Sequence, residues 1–183
     1  MAADRKPRAR PRVELRTPTP ADRDRYIAAM RASRALYRGF VSPWTTPDAF
    51  DGLVRRAQDD SFEPMLACRR DDGAIVGFVN ISQIVRGRLQ SGFMGYGGVA
   101  GQTGQGYMTE AIGLALRRAF TELRLHRIEA NIQPSNTASI ALVRRCGFEL
   151  EGFSPRYLKV GGRWRDHERW AIRAEQWRAL RSP

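Results

Sequence analysis

The chain has 183 residues, 42% of them apolar, and a formal net charge of +12 from 31 basic and 19 acidic side chains. That length suits one domain with a substantial core. No apolar run approaches the roughly 18 residues of a membrane span, the basic stretch from Met1 to Arg12 lacks the apolar segment of a secretory signal, and Cys68 and Cys146 are too few for a disulfide framework.

These exclusions imply a reducing, cytoplasmic setting with no membrane partner. His126 and His167 stand apart from the cysteines, so no metal site is expected. The positive charge admits a polyanion partner such as RNA, or an anionic cofactor. It equally admits a compositional bias, because Lys6 and Lys159 are the only lysines and the rest is arginine.

Residues 1–11, with Arg5, Lys6, Arg8 and Arg10 among prolines, read as a disordered basic tail; residues 12–183 read as one domain. Val13 to Arg16 alternates as a first strand. Thr19 caps a helix with Pro20 at its first position and Asp22 in its first turn, running to about Arg38. After the loop from Val41 to Thr45, Thr46-Pro47-Asp48 starts a second helix ending near Asp60. A meander follows, with strands over 64–69, 74–85 and 91–99 separated by Asp71-Asp72-Gly73 and Arg86-Gly87-Arg88.

Gly95, Gly97 and Gly98 inside the third of these strands mark either a bend or a ligand lying against the backbone. The chain then enters Gly101-Gln102-Thr103-Gly104-Gln105-Gly106-Tyr107 and an amphipathic helix with apolar residues at 111, 112, 115, 116, 119, 120 and 123. Glycines there allow positive φ and close backbone approach. The helix start behind them offers unpaired N–H groups and a positive dipole end, together a phosphate cradle. His126 to Gln133 is a strand. Ser135 or Asn136 caps a helix that stops at Cys146-Gly147, and residues 148–159 and 163–172 close the chain as a hairpin around Val160-Gly161-Gly162.

Gly106 is followed by Tyr107-Met108, which rules out the Gly-Lys-Ser/Thr of a P-loop. A dinucleotide fold accounts for Glu129 as a ribose ligand, but it wants G-x-G-x-x-G and repeated βαβ units where this chain has Gly101-x-x-Gly104-x-Gly106 after a meander.

The order of elements, the Gly104-x-Gly106 pair, and Asn136 followed by Gly147-Phe148 resemble the Gcn5-related N-acetyltransferase (GNAT) family. Within it the chain looks like the ribosomal-protein N-terminal alanine acetyltransferases. That likeness rests on residues 77–82, 106–111, 126–131, 136–152 and 157–167, with Ser42-Pro43-Trp44. The family's loop carries Arg or Gln where this chain has Gly101, with Gln102 one place along.

The resemblance implies an α/β fold. Its central, mostly antiparallel twisted sheet would have about seven strands, flanked by helices and splayed at the fourth and fifth. It implies acetyl-CoA as cofactor, with CoA as product and direct transfer of acetyl to an amine in a ternary complex. The acceptor would be a protein N-terminus, a ribosomal protein's above all. The alternatives are a small amine (antibiotic, polyamine or amino acid) and a non-catalytic CoA- or RNA-binding module. Ribosome docking through the tail, and a monomer or homodimer, complete the expectations.

By resemblance, backbone N–H groups from Gly97 through Gly98 to Val99 would hold the thioester carbonyl. Amides of Gln102, Thr103, Gly104, Gln105, Gly106 and Tyr107 would hold the pyrophosphate, and Asn136 the pantetheine amide. The family's usual tyrosine acid is replaced by Val143. Ser139, one turn earlier, is the expected hydrogen-bond partner or proton relay to a thiol of pKa about 8.5. It also reads as a helix serine bonded to its own backbone. Glu129 is the expected base through water, or else a carboxylate paired with an arginine; Asn131 and Gln133 share its strand face. Glu110 suits the helix dipole. An α-amine of pKa about 8 asks less of a base than a lysine near 10.4. Trp44, Phe93, Tyr96, Asn131 and Trp164 are the acceptor-groove candidates, the aromatics among them reading equally as core.

Overall fold

The computed structural model describes residues 10–40 and 43–181. The tail expected over residues 1–9, and Val41 and Ser42 of the loop before Trp44, lie outside the described residues. The observed strands are β1 (Val13–Arg16), β2 (Glu63–Arg69), β3 (Ile75–Val85), β4 (Ser91–Gly98), β5 (Arg127–Ile132), β6 (Glu149–Val160) and β7 (Arg163–Arg173). They form one sheet in the order β1-β2-β3-β4-β5-β7-β6. Every neighbouring pair is antiparallel except β4 and β5.

The helices are α1 (Arg23–Ala32), α2 (Arg34–Tyr37), α3 (Pro47–Arg56), α4 (Tyr107–Arg117), α5 (Thr137–Arg145) and α6 (Ala174–Ala179). Two apolar clusters sandwich the sheet. One joins Ile112, Leu116, Ile128, Val143 and Trp170 under α4 and α5. The other joins Tyr26, Met30, Tyr37, Phe50 and Phe78 under α1 to α3. The alternation of β5 explains the division: Ile128, Ala130 and Ile132 enter the first cluster, leaving Glu129 and Asn131 on the opposite face.

Local signals place the helix ends. Thr46 accepts a bond from the Ala49 amide at 3.3 Å, Asn136 accepts one from the Ser139 amide at 3.2 Å, and Gly147 ends α5 at φ +90°. The first long helix is interrupted. Pro20–Asp22 is a 3₁₀ turn, and Ser33 separates α1 from α2 because its hydroxyl is diverted to Ala29 and Ala100. The helix after the glycine loop ends in a π turn over Arg118–Glu122, and α6 follows β7.

β4 and β5 pair only from Ser91↔Arg127 through Phe93↔Glu129 and then part. This opening lies at the centre of the sheet, at the mouth of the loop that leads into α4.

Candidate active site

The glycine loop has the backbone form of an anion cradle: positive φ at its glycines and a helix start behind it. Gly101, Gly104 and Gly106 have φ of +78°, +75° and +85°, and Gly106 caps α4. A side chain at Gly104 would enter open space, so its requirement is conformational rather than spatial. Among the described residues, the N–H groups from Thr103 to Thr109 have no protein partner. They surround the positive end of the α4 dipole.

Arg12 braces the loop from outside. It donates from its side chain to Glu110 at 2.7 Å and to the Gln105 carbonyl at 2.8 Å, and its guanidinium lies 4.7 Å from the centre of the Tyr107 ring. Glu110 therefore does not present an unbalanced negative charge to an anion in the cradle. Nothing local in the sequence marks Arg12, which is 98 residues from Glu110.

The other expected cofactor contacts divide. The Val99 amide bonds the Val76 carbonyl at 2.9 Å, and the Gln102 amide bonds the Val99 carbonyl at 3.0 Å, so both are committed inside the protein. Strand alternation from Val99 turns the N–H groups of Tyr96 and Gly98 away from β3, toward the split. Tyr37 donates to the Gly98 carbonyl. Gly97 serves packing, since a Cβ there would sit 2.7 Å from the Tyr37 ring and 2.8 Å from Phe78.

The split holds a cavity of about 180 Å³ lined by residues of both sheet faces. On the α5 side are Tyr96, Asn136 and Ser139; on the other are Asn131, Gln133 and His167, with Phe40 at the rim. Tyr96 and Ser139 meet hydroxyl to hydroxyl at 2.5 Å. Ser139 thus uses its side chain across the cleft, and Asn136 both caps α5 and faces the cavity. Burial pushes the Tyr96 phenol above its ordinary range, outweighing the lowering effect of the Ser139 bond, so it holds its proton. The buried Asn131 Oδ1 has no partner. Gln133 donates to the Gly39 carbonyl at 2.8 Å, tying β5 to the end of α2.

Other expected site residues lie apart from this cavity lining. Glu129 is on the Asn131 face but nearer the closed end, with Arg127 donating to it at 2.8 Å. Phe93 is half-buried at the last β4–β5 pair. Trp44 packs edge-on against Phe78 at 5.8 Å, and Trp164 is 60% exposed on the closing hairpin. Sequence reasoning did not single out His167 for the site or join Tyr96 to Ser139. For His167 the available signal was parity: continuing the β5–β7 register from Ile132↔Glu168 sets it opposite Gln133. Among the described residues no cluster of His, Cys, Asp and Glu suits a metal, and no helix is long and apolar enough to cross a membrane.

A mixed sheet opened between a central parallel pair, with a glycine loop and helix start at the mouth and paired hydroxyls in the opening, is the architecture of an acetyltransferase-type α/β fold. A family model described as acetyltransferase (GNAT) domain matches residues 12–149, and the chain belongs to that family. It is 43% identical over 101 residues to a probable N-acetyltransferase, YjcK, of Bacillus subtilis (55% of this chain, 56% of the relative). It is 38% identical over 107 residues to the [ribosomal protein uS5]-alanine N-acetyltransferase of Escherichia coli (58% and 55%). The chain thus spans little more than half the length of these curated relatives. A solved structure of Mycobacterium smegmatis RimJ in complex with CoA-disulfide superposes with a TM-score of 0.82 at 31% identity, covering 90% of this chain and 83% of that one.

Proposed function

We propose that the chain is an N-acetyltransferase that draws on acetyl-CoA and acts on the N-terminal α-amine of a protein. The observation that carries the acceptor reading is the cleft wall, whose lining among the described residues contains no Asp, Glu, Lys or Arg. A polyamine entering it would give up the hydration of several cations and meet no carboxylate in return. A single α-amine, of pKa about 8, arrives partly neutral and needs only hydrogen-bond acceptors such as Asn131 Oδ1. The Escherichia coli relative, a [ribosomal protein uS5]-alanine N-acetyltransferase, supports the same acceptor class.

The protein's own groups divide the work. Amides from Thr103 to Thr109 would hold the pyrophosphate, the Asn136 side chain would meet the pantetheine, and the N–H groups of Tyr96 and Gly98 would be the donors for the thioester carbonyl. Acetyl-CoA, when bound, supplies the acetyl group as an activated thioester. Ser139, backed by the protonated Tyr96, would donate a hydrogen bond or a proton to the leaving thiolate. Trp164 stands exposed on the hairpin whose Val160 lines the cleft, available to the acceptor chain.

The test is CoA release by the purified chain with peptides beginning in Ala or Ser, the same peptides already α-acetylated, and spermidine. Free peptides are expected to turn over at least tenfold faster than spermidine in kcat/KM, and the blocked peptides not at all. Turnover on spermidine alone would reject the peptide acceptor, and no turnover on any amine would reject the enzyme.

A further inference from the structure

The cavity contains one imidazole, and its hydrogen bonding fixes what that imidazole offers. His167 is 3% exposed, and its Nδ1 lies 2.9 Å from the Arg165 carbonyl. A carbonyl only accepts, so Nδ1 carries a proton and the neutral ring keeps its lone pair on Nε2. Among the described residues Nε2 has no protein partner. Asn131, which also lines the cavity, carries a buried Oδ1 without a partner and lies on the same face of the sheet.

Among the described residues that line the cavity with His167, none is a carboxylate or a lysine. β6 contributes Tyr157, whose ring centre is 6.2 Å away. β4 contributes Tyr96, β5 contributes Asn131 and Gln133, and α5 contributes Asn136 and Ser139. The charged neighbours on its own face of β7 are Arg165 and Arg169, both cationic. Glu129 is occupied by Arg127 outside the cavity lining.

We propose that His167 Nε2 takes the proton of the acceptor ammonium, while Asn131 Oδ1 holds a second N–H of the same nitrogen. One N–H bond breaks, its electron pair stays on nitrogen as the nucleophile, and an Nε2–H bond forms. The resulting imidazolium keeps its Nδ1–H on the Arg165 carbonyl. The base then lies on one face of the sheet, and the Ser139–Tyr96 pair on the other.

This assignment rests on the acetyltransferase reading, and the experiment separates the two. With the full chain and an Ala-initiated peptide, His167→Gln is expected to lower kcat/KM about 100-fold or more, the usual span for a general base. The KM for acetyl-CoA should stay within about threefold by the same argument, because no cofactor contact is removed. In His167→Ala, added imidazoles should restore turnover in the order of their basicity, a trend that simple cavity filling does not produce. His126 and His167 are the only histidines, so ¹⁵N NMR of the wild-type imidazoles reads the tautomer without any variant. An Nδ1–H, bare-Nε2 signal for the buried ring is expected. An Nε2–H tautomer, a His167→Gln protein with unchanged kcat/KM, or loss of the pH-dependent limb in Glu129→Gln instead would overturn the proposal. Absence of wild-type turnover on any amine would overturn the function beneath it.

Discussion

At the scale of single residues, the proposed stand-in for the family's tyrosine acid is a pair of hydroxyls rather than one. A serine hydroxyl is a weak acid, but Ser139 is 2.5 Å from a phenol that burial keeps protonated. Val143, at the family's tyrosine position, is buried in the core and is not in the cavity lining. If the two hydroxyls act as one relay, Ser139→Ala and Tyr96→Phe each lower kcat by roughly 10- to 100-fold, and the double variant little more than the worse single, as coupled neighbours do. Single-turnover rates of the three variants check this. Multiplicative losses would mean that the hydroxyls serve separate steps. The variants should unfold near the wild-type temperature, since neither substitution changes the shape of the core.

At the scale of elements, the join between β1 and the first helix shows how much depends on one carboxylate. Arg16 donates two bonds to Asp22, at 2.7 and 2.5 Å, and Thr19 donates its amide and hydroxyl at 2.9 Å each. Burial alone would raise the Asp22 pKa, but the bonds from Arg16 and Thr19 prevail and bring it from 3.8 down to about 2. A folded pKa below the unfolded one means stability that is complete above about pH 4 and disappears as pH falls through 2, worth about 2 kcal/mol by linkage. Asp22→Asn should therefore cost about 2 kcal/mol in urea unfolding at pH 7 and far less at pH 2.5. An equal cost at both pH values would exclude the ion pair as its source. Thr19, Pro20 and Asp22 were legible because a capping sequence is local. So were the glycine loop, Thr46, Asn136 and Gly147, each a residue whose backbone need follows from its own chemistry. The interruption at Ser33 was not, because its cause is the Ala100 amide, 67 residues away. The π turn over Arg118–Glu122 and α6 follow from packing, Phe120 against Trp177 at 5.6 Å, that the pattern of either segment alone does not contain.

At the scale of the whole molecule, the charge and the split sheet meet. Arginine predominates over lysine where planar stacking is used: Arg144 lies 5.0 Å over Trp170, and Arg181 5.0 Å over Trp177. Some of the +12 is thus packing as well as charge, which composition alone cannot distinguish. Beyond Phe93↔Glu129 the halves of the sheet are joined across the split by side chains, among them Tyr96 to Ser139 and Gln133 to the Gly39 carbonyl. A ligand that bonds the α4 cradle and the Asn136 edge together adds a third bridge and binds only the folded state. At 100 times its dissociation constant, such a ligand adds about 2.7 kcal/mol. For a domain of this size that raises the melting temperature by about 5–10 °C. CoA and acetyl-CoA should both do so, since the cradle and the Asn136 edge are common to them, whereas NADP(H) should not. Gly104→Ala, strained at positive φ but clashing with nothing, should shrink the CoA shift more than it lowers the unliganded melting temperature. An undiminished shift in that variant would place the pyrophosphate away from the loop, and stabilisation by NADP(H) in place of CoA would replace the carrier altogether.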